Sequence, residues 1–284
     1  MKLVRYGKAG KEKPGIIDAK GKLRDCSAVV PDWAGEFLGN KHIKKVAKAL
    51  KNGELKSVSG VPRIGACVGR PCNFVAVGLN YADHAAESNM PIPTEPILFN
   101  KAPNCIVGPN DDVVIPRGSK RTDWEVELGI IIGKKASYIS EDEALDHVAG
   151  YCLANDVSER EFQLERGGNW MKGKSAPTFG PLGPWLATQD EVGDVQNLDM
   201  WLDVNGARMQ TGSTRTMIFG VRKIVSYISQ FMTLETGDVI VTGTPPGVGA
   251  GKKPPVFLKA GDTMRLGIDG LGVQACRVVD FGKE

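Results

Sequence analysis

The stretch Asp123-Trp124-Glu125-Val126-Glu127-Leu128-Gly129-Ile130-Ile131-Ile132 decides how the chain folds. Successive side chains on a strand point to opposite faces. Glu125 and Glu127 therefore share one face, while Val126, Leu128, Ile130 and Ile132 turn the other way, into a core. Two carboxylates on one face repel each other and need a cation, lysines or water beside them. On spacing alone the pair also fits a solvent-facing edge of alternating polarity.

A third carboxylate narrows the choice. The run GYCLANDV (150–157) is apolar and ends at Asp156. The glutamates stand at the start of their strand and Asp156 at the end of its own. These ends meet if the two strands pair antiparallel and lie far apart if they are adjacent and parallel. Three oxygen donors without Cys or His suit a hard cation, Mg²⁺ or Mn²⁺, that keeps open positions. Taken alone, Asp156 reads equally well as a turn or cap. After it, Arg160 and Gln163 share a face if the chain is helical there, and Lys174 falls in a glycine-containing loop. Cations beside a metal suit an anionic substrate bearing a carboxylate, although ordinary surface charge explains each one separately. His84 and Glu87, spaced i, i+3 on a short helical turn, can touch. A carboxylate that orients a histidine is a general-base arrangement, and also an ordinary surface ion pair. His42 and His147 lack such a partner and read as structural.

The remaining sequence bounds the class. The chain has 284 residues, with 36 Lys+Arg against 33 Asp+Glu, 42% hydrophobic and 24% charged residues. This is an ordinary globular composition. A formal charge of +3 is no polybasic footprint, so nucleic acid is not the expected partner. No apolar run approaches the roughly 20 residues of a membrane span. The opening MKLVRYGKAGKEK has no secretory apolar core. Six scattered cysteines form no CxxC, and three histidines give no zinc spacing. Together these features read as a cytoplasmic protein with reduced thiols.

Many glycines and prolines imply turns and a β-rich body. The expected organisation is α+β and mainly β, with a small N-terminal α/β domain over 1–70 and a larger core domain over 71–284. Residues 40–51 predict a lysine-rich amphipathic helix with Ile43, Val46, Ala47 and Leu50 on its apolar stripe. Ser140 and Glu143 fit a capping box, and a longer helix is expected near 217–231. Asn80, Asn89, Pro91 and Pro93 around the short His84 helix predict a mobile lid over 80–95. TGTPPGVGAGKK (242–253) satisfies neither a P-loop nor a dinucleotide fingerprint. It reads as a tight strand-end loop whose backbone can approach a ligand closely.

Taken in order, NYADHAAE (80–87), LFNKAPN (98–104), DWEVELGIIIG (123–133), NDVSEREFQ (155–163), WMKGKS (170–175), TRTMIF (214–219) and VTGTPPGVG (241–249) resemble the fumarylacetoacetate hydrolase superfamily. The resemblance runs from about residue 72 to the C-terminus. It implies a mixed β-roll core in a homodimer or homotetramer. It also implies metal ligation by Glu125, Glu127 and Asp156, with Mg²⁺ or Mn²⁺ bound, and a His84–Glu87 pair on a mobile lid. Lys101, Arg160, Gln163, Lys174 and Thr244 match the substrate-contacting positions, and Lys174 joins His84 and Glu87 in the catalytic set.

Two departures place the chain within the superfamily. The namesake enzyme's further acidic ligand falls here at Val77, and Thr216 stands where many acylpyruvase-like members carry aspartate. Together with KLVRYG (2–7), KPGIID (13–18) and KKPPVFLKAGD (252–262), they make the chain most resemble bacterial 2,4-diketo-3-deoxy-L-rhamnonate hydrolases of sugar-acid catabolism. It implies hydrolysis of the C3–C4 bond of a small anionic 2,4-diketo acid, giving pyruvate and, for the rhamnonate derivative, lactate. The same ligand set would serve an oxaloacetate decarboxylase, a 2-hydroxyhepta-2,4-diene-1,7-dioate isomerase or a ureidoglycolate lyase.

Overall fold

The computed structural model describes residues 1–87 and 90–283. Ser88, Glu284 and Asn89, one of the expected lid flanks, lie outside the described residues. The chain opens with β1 (Lys2–Tyr6), β2 (Lys13–Ile17) and β3 (Leu23–Asp25), followed by helix α1 (Asn40–Lys51). Next come β4 (Phe74–Gly78), α2 (Ala82–Glu87), β5 (Ile97–Lys101), β6 (Ile106–Val107), β7 (Val113–Ile115) and β8 (Thr122–Asp123). The central strands are β9 (Val126–Ile132) and β10 (Val148–Asn155), and β11 (Ser158–Glu159), α3 (Arg160–Leu164) and α4 (Met171–Lys174) follow them. The chain continues through β12 (Gly180–Pro181), β13 (Leu186–Thr188), α5 (Gln189–Val192), β14 (Asp199–Val204) and β15 (Ala207–Ser213). It closes with α6 (Val221–Ser229), β16 (Val239–Val241), β17 (Thr263–Ile268) and β18 (Gly272–Asp280). The α+β, mainly β reading holds. Among the described residues, no helix is long and apolar enough to cross a membrane.

Nine strands form one mixed sheet in the order β3-β2-β1-β13-β10-β9-β16-β4-β5. A second sheet, β15-β14-β17-β18-β7, packs across it, and Gln274 of β18 donates to the Leu153 carbonyl of β10 at 3.0 Å. Every residue of β9 and β10 is buried. That excludes the solvent-facing edge as the setting of Glu127. Strands covered on both faces read as near-continuous apolar runs, as Gly129–Ile132 and Val148–Ala154 do. Gly150 has no room for a side chain, because a Cβ there would lie 2.0 Å from the Ala187 carbonyl oxygen of β13.

The N-terminal strands enter this same sheet, since β1 pairs antiparallel with β13 and places Lys2 opposite Ala187. Helix α1 spans the expected residues and buries Ile43, Val46 and Ala49. Ala49, rather than the half-buried Ala47, completes its stripe. The Ser140–Glu143 capping bonds form at 2.9 and 3.4 Å, but only a short 3-10 turn, Ala144–His147, follows them. The helix expected over 217–231 is confined to α6. Gly220 is its N-cap, and Gln196 Oε1 accepts from the Val221 N–H at 2.6 Å, satisfying one of the orphan donors of the first turn.

Candidate metal and acid–base site

β9 and β10 pair antiparallel, with Glu127 opposite Ala154 and Val126 opposite Asn155. This is the arrangement in which the start of one strand meets the end of the other. Glu125, Glu127 and Asp156 converge, and each offers a carboxylate oxygen within 4.8 Å of the others. All three are buried. The backbone locks the join, because the Asp156 N–H donates to the Glu125 carbonyl at 2.9 Å. Asn155 Oδ1 accepts from the Glu125 N–H at 3.1 Å.

Buried carboxylates are costly unless paired, and three cations reach this cluster. Lys174 Nζ lies 2.7 Å from Glu125 Oε2 and 2.6 Å from Asp156 Oδ2. Lys101 Nζ lies 2.5 Å from Asp156 Oδ1 and also donates to the Lys174 carbonyl. Arg160 bridges Glu125 Oε1 at 2.7 Å and Asp123 Oδ2 at 2.8 Å, and donates to Gln163 Oε1 at 3.0 Å. Lys174 sits at the end of α4, a single helical turn, and not in an open loop.

The two glutamates titrate in opposite directions. Burial would raise the Glu125 pKa, but the charges of Lys174 and then Arg160 outweigh it and hold this carboxyl well below its usual range. Burial, then the negative charges of Asp156 and Glu125, push Glu127 well above that range. Glu127 Oε2 accepts from the Gly243 N–H at 2.7 Å. No Lys or Arg stands at ion-pair distance from Glu127 among the described residues. The donor set thus fits a divalent cation. It is all oxygen, and the carboxylate without a cationic side chain is one a metal ion would neutralise.

α2 carries the second half of the site. His84 Nδ1 lies 3.1 Å from Glu87 Oε2, as the i, i+3 spacing predicts. Glu87 also accepts from the Gly247 N–H at 3.1 Å. The 247–250 loop ties this pair to the cluster, since it meets Glu87 at one end and Asp123, two residues before Glu125, at the other. The glycine-rich loop therefore brings its backbone against the protein's own carboxylates. Gly249 and Ala250 N–H donate to Asp123 at 2.7 and 2.9 Å.

Thr244 is buried next to β9. Its hydroxyl donates to the Val126 carbonyl at 2.9 Å and accepts from Gln210 Nε2 at 2.8 Å. That hydroxyl is committed to the frame. Val77 is an ordinary core residue of β4.

Sequence reading missed Asp123, Asn155 and Gln210, and it took Asn80, a buried anchor, only for a lid flank. Asp123 and Asn155 adjoin predicted ligands, and that adjacency was the available signal. The partners of Gln210 and Asn80 lie far away in sequence, and no local pattern marks them.

Residues 73–279 match the family model described as fumarylacetoacetate (FAA) hydrolase C-terminal. The chain belongs to the fumarylacetoacetate hydrolase family. Family membership extends the match to whole-chain relatives. A Burkholderia cenocepacia protein, described no further than as a hydrolase, is 60% identical over 281 residues and covers 99% of each chain. The fumarylacetoacetate hydrolase of Exiguobacterium antarcticum superposes with a TM-score of 0.85 at 35% identity, over 99% of both chains. Maleylpyruvate hydrolase of Sphingobium sp. SYK-6, solved with manganese(II) and pyruvate, gives a TM-score of 0.80 at 28% identity, again over 99% of both.

Proposed function

We propose that this family member is a metal-dependent hydrolase that cleaves the C3–C4 bond of a small 2,4-diketo acid to pyruvate and a second carboxylic acid. The observation that carries the reading is the buried carboxylate triad, one member of which lacks a cationic side chain, facing a histidine–carboxylate pair. The manganese and pyruvate held by the Sphingobium hydrolase support a divalent metal and a 2-oxo acid in this fold. Glu125, Glu127 and Asp156 would hold Mg²⁺ or Mn²⁺, which when bound supplies Lewis acidity to the oxygens of the 2-oxo acid.

The chain's own groups do the rest. Glu87 accepts a hydrogen bond from the Nδ1–H of His84 and so leaves Nε2 as the base. His84 Nε2 takes a proton from water, and the resulting hydroxide adds to the C4 carbonyl. The C3–C4 bond breaks with its electron pair going to C3, and the proton held at Nε2 returns there to give pyruvate. Lys174 and Arg160 place positive charge where the oxyanion develops. Lys101 fixes Asp156, and Gln163 orients Arg160.

The test follows pyruvate release from a panel of 2,4-diketo acids, including 2,4-diketo-3-deoxy-L-rhamnonate, with oxaloacetate alongside. The EDTA-stripped protein is assayed before and after adding Mg²⁺ or Mn²⁺. Metal-dependent pyruvate from a diketo acid is the expected result. His84→Ala should lower that rate about 10²–10⁴-fold while changing stability by about 0.5 kcal/mol or less. Pyruvate from oxaloacetate alone would replace the reading with a decarboxylase. No turnover with metal bound would overturn C–C hydrolysis.

A further inference from the structure

The root and the body of α2 are held in different ways. At the root, Asn80 is fully buried. Its Nδ2 donates to the Thr242 carbonyl at 2.8 Å, and its Oδ1 accepts from the Phe219 N–H at 2.8 Å. The Ile218 N–H donates to the Asn80 carbonyl at 2.8 Å, and Tyr81 forms a β-bridge with Met217. Leu79 just before it is held at φ +48°, a conformation a leucine keeps only when its surroundings over-determine it. Beyond Tyr81 the ties thin out. Apart from the buried methyl of Ala85, two hydrogen-bonded contacts link α2 side chains to other elements among the described residues. Glu87 meets the Gly247 N–H, and Asp83 Oδ2 meets Thr216 Oγ1 at 3.2 Å.

From this we infer that Thr216 is a positioning residue. Its hydroxyl latches the N-terminal turn of α2 through Asp83 and so holds His84 over the carboxylate cluster. Thr216 leaves the second sheet on the short turn after β15 and reaches α2 with no hydrogen bond to Glu125, Glu127 or Asp156. The single hydroxyl proton has two acceptors in reach, Asp83 Oδ2 and the Ser213 carbonyl at 3.1 Å, and the charged one is the stronger. Asp83 Oδ1 meanwhile accepts from the His84 N–H at 3.0 Å. The latch thus ends one residue from the imidazole. Glu87, pinned by Gly247, holds the other end. With the helix suspended at two points, losing one should let it pivot about the other and carry His84 away.

The inference rests on reading α2 as the carrier of the base, but its test needs no turnover. Hydrogen exchange of the Ala85–Glu87 amides is measured in the full chain for the wild type, Thr216→Val, Thr216→Ser, Asp83→Ala and the Thr216→Val/Asp83→Ala double variant. Loss of one hydrogen bond to a charged group should speed exchange about tenfold in Thr216→Val. Thr216→Ser should restore the wild-type rate. The double variant should exchange no faster than Asp83→Ala alone. Unchanged exchange in Thr216→Val would overturn the latch. So would failure of Ser to rescue, or additive effects in the double variant. If the latch is found but no diketo acid is cleaved, the functional reading fails and the latch stands.

Discussion

Two charge networks in this molecule look alike on paper and differ in one respect. At the joint between the N-terminal strands and the core, Arg5 pairs with Asp32 at 2.7 Å and with Glu12 at 3.6 Å. Arg63 pairs with Glu12 at 2.9 Å and Asp111 at 2.5 Å. Every carboxylate there has a guanidinium. At the site, Lys101, Lys174 and Arg160 serve Asp123, Glu125 and Asp156 and, among the described residues, leave Glu127 without a cationic side chain. The joint also lines a cavity of about 1030 Å³, and none of the metal or acid–base candidates borders it. Size therefore does not mark the chemistry. A network whose charges are all matched holds two parts of a fold together, whereas one with a buried carboxylate left over has room for a cation.

Removing a carboxylate from each network sharpens the contrast. Asp156→Ala would leave two fully buried ammonium groups short of a partner. It should cost about 3–5 kcal/mol in denaturant unfolding. Asp111→Ala at the joint leaves Arg63 with Glu12 and access to water, and should cost about 1–2 kcal/mol. Equal costs would erase the distinction between the two regions.

A smaller effect separates them by pH. At Glu12 burial favours the neutral acid, but the Arg63 hydrogen bond and the charges of Arg5 and Arg63 outweigh it and hold the carboxyl below its ordinary value of 4.5. A depressed carboxyl adds stability that is present above that ordinary value and is lost as pH falls through the folded one. The unfolding free energy of Glu12→Gln from urea titration should therefore lag the wild type near pH 7 by about 0.5 kcal/mol, screened by solvent, and converge with it as pH falls through the folded value. A gap that does not narrow on acidification would mean that Glu12 acts through packing instead.

Much of the site was legible because its signals are local. Alternation placed Glu125 and Glu127 on one face, and strand ends plus antiparallel pairing brought Asp156 to them. Three residues of helical rise brought His84 to Glu87. What escaped reading depends on distant partners. The Thr244 hydroxyl is claimed by Val126 and Gln210, Asp123 by Arg160 and the 249–250 amides, and Asn80 by the 218–219 backbone. The fold class was read from turns and apolar runs. That β1 would join the main sheet through β13 was not, because strand order leaves no mark in either sequence. The helix near 217–231 was read too long because Ile218 and Phe219 continue the apolar pattern while their N–H groups are taken by Asn80.

The central claim is that the leftover carboxylate makes a metal site. Calorimetric titration of Mn²⁺ and Mg²⁺ into metal-stripped wild type and Glu127→Gln tests it most directly. One saturable site per chain is expected in the wild type. In the variant, affinity should fall at least about 100-fold while metal-free stability is unchanged or raised, since the substitution removes a buried carboxyl that no cation served. No saturable binding to the wild type, or equal affinity in the variant, would contradict the account.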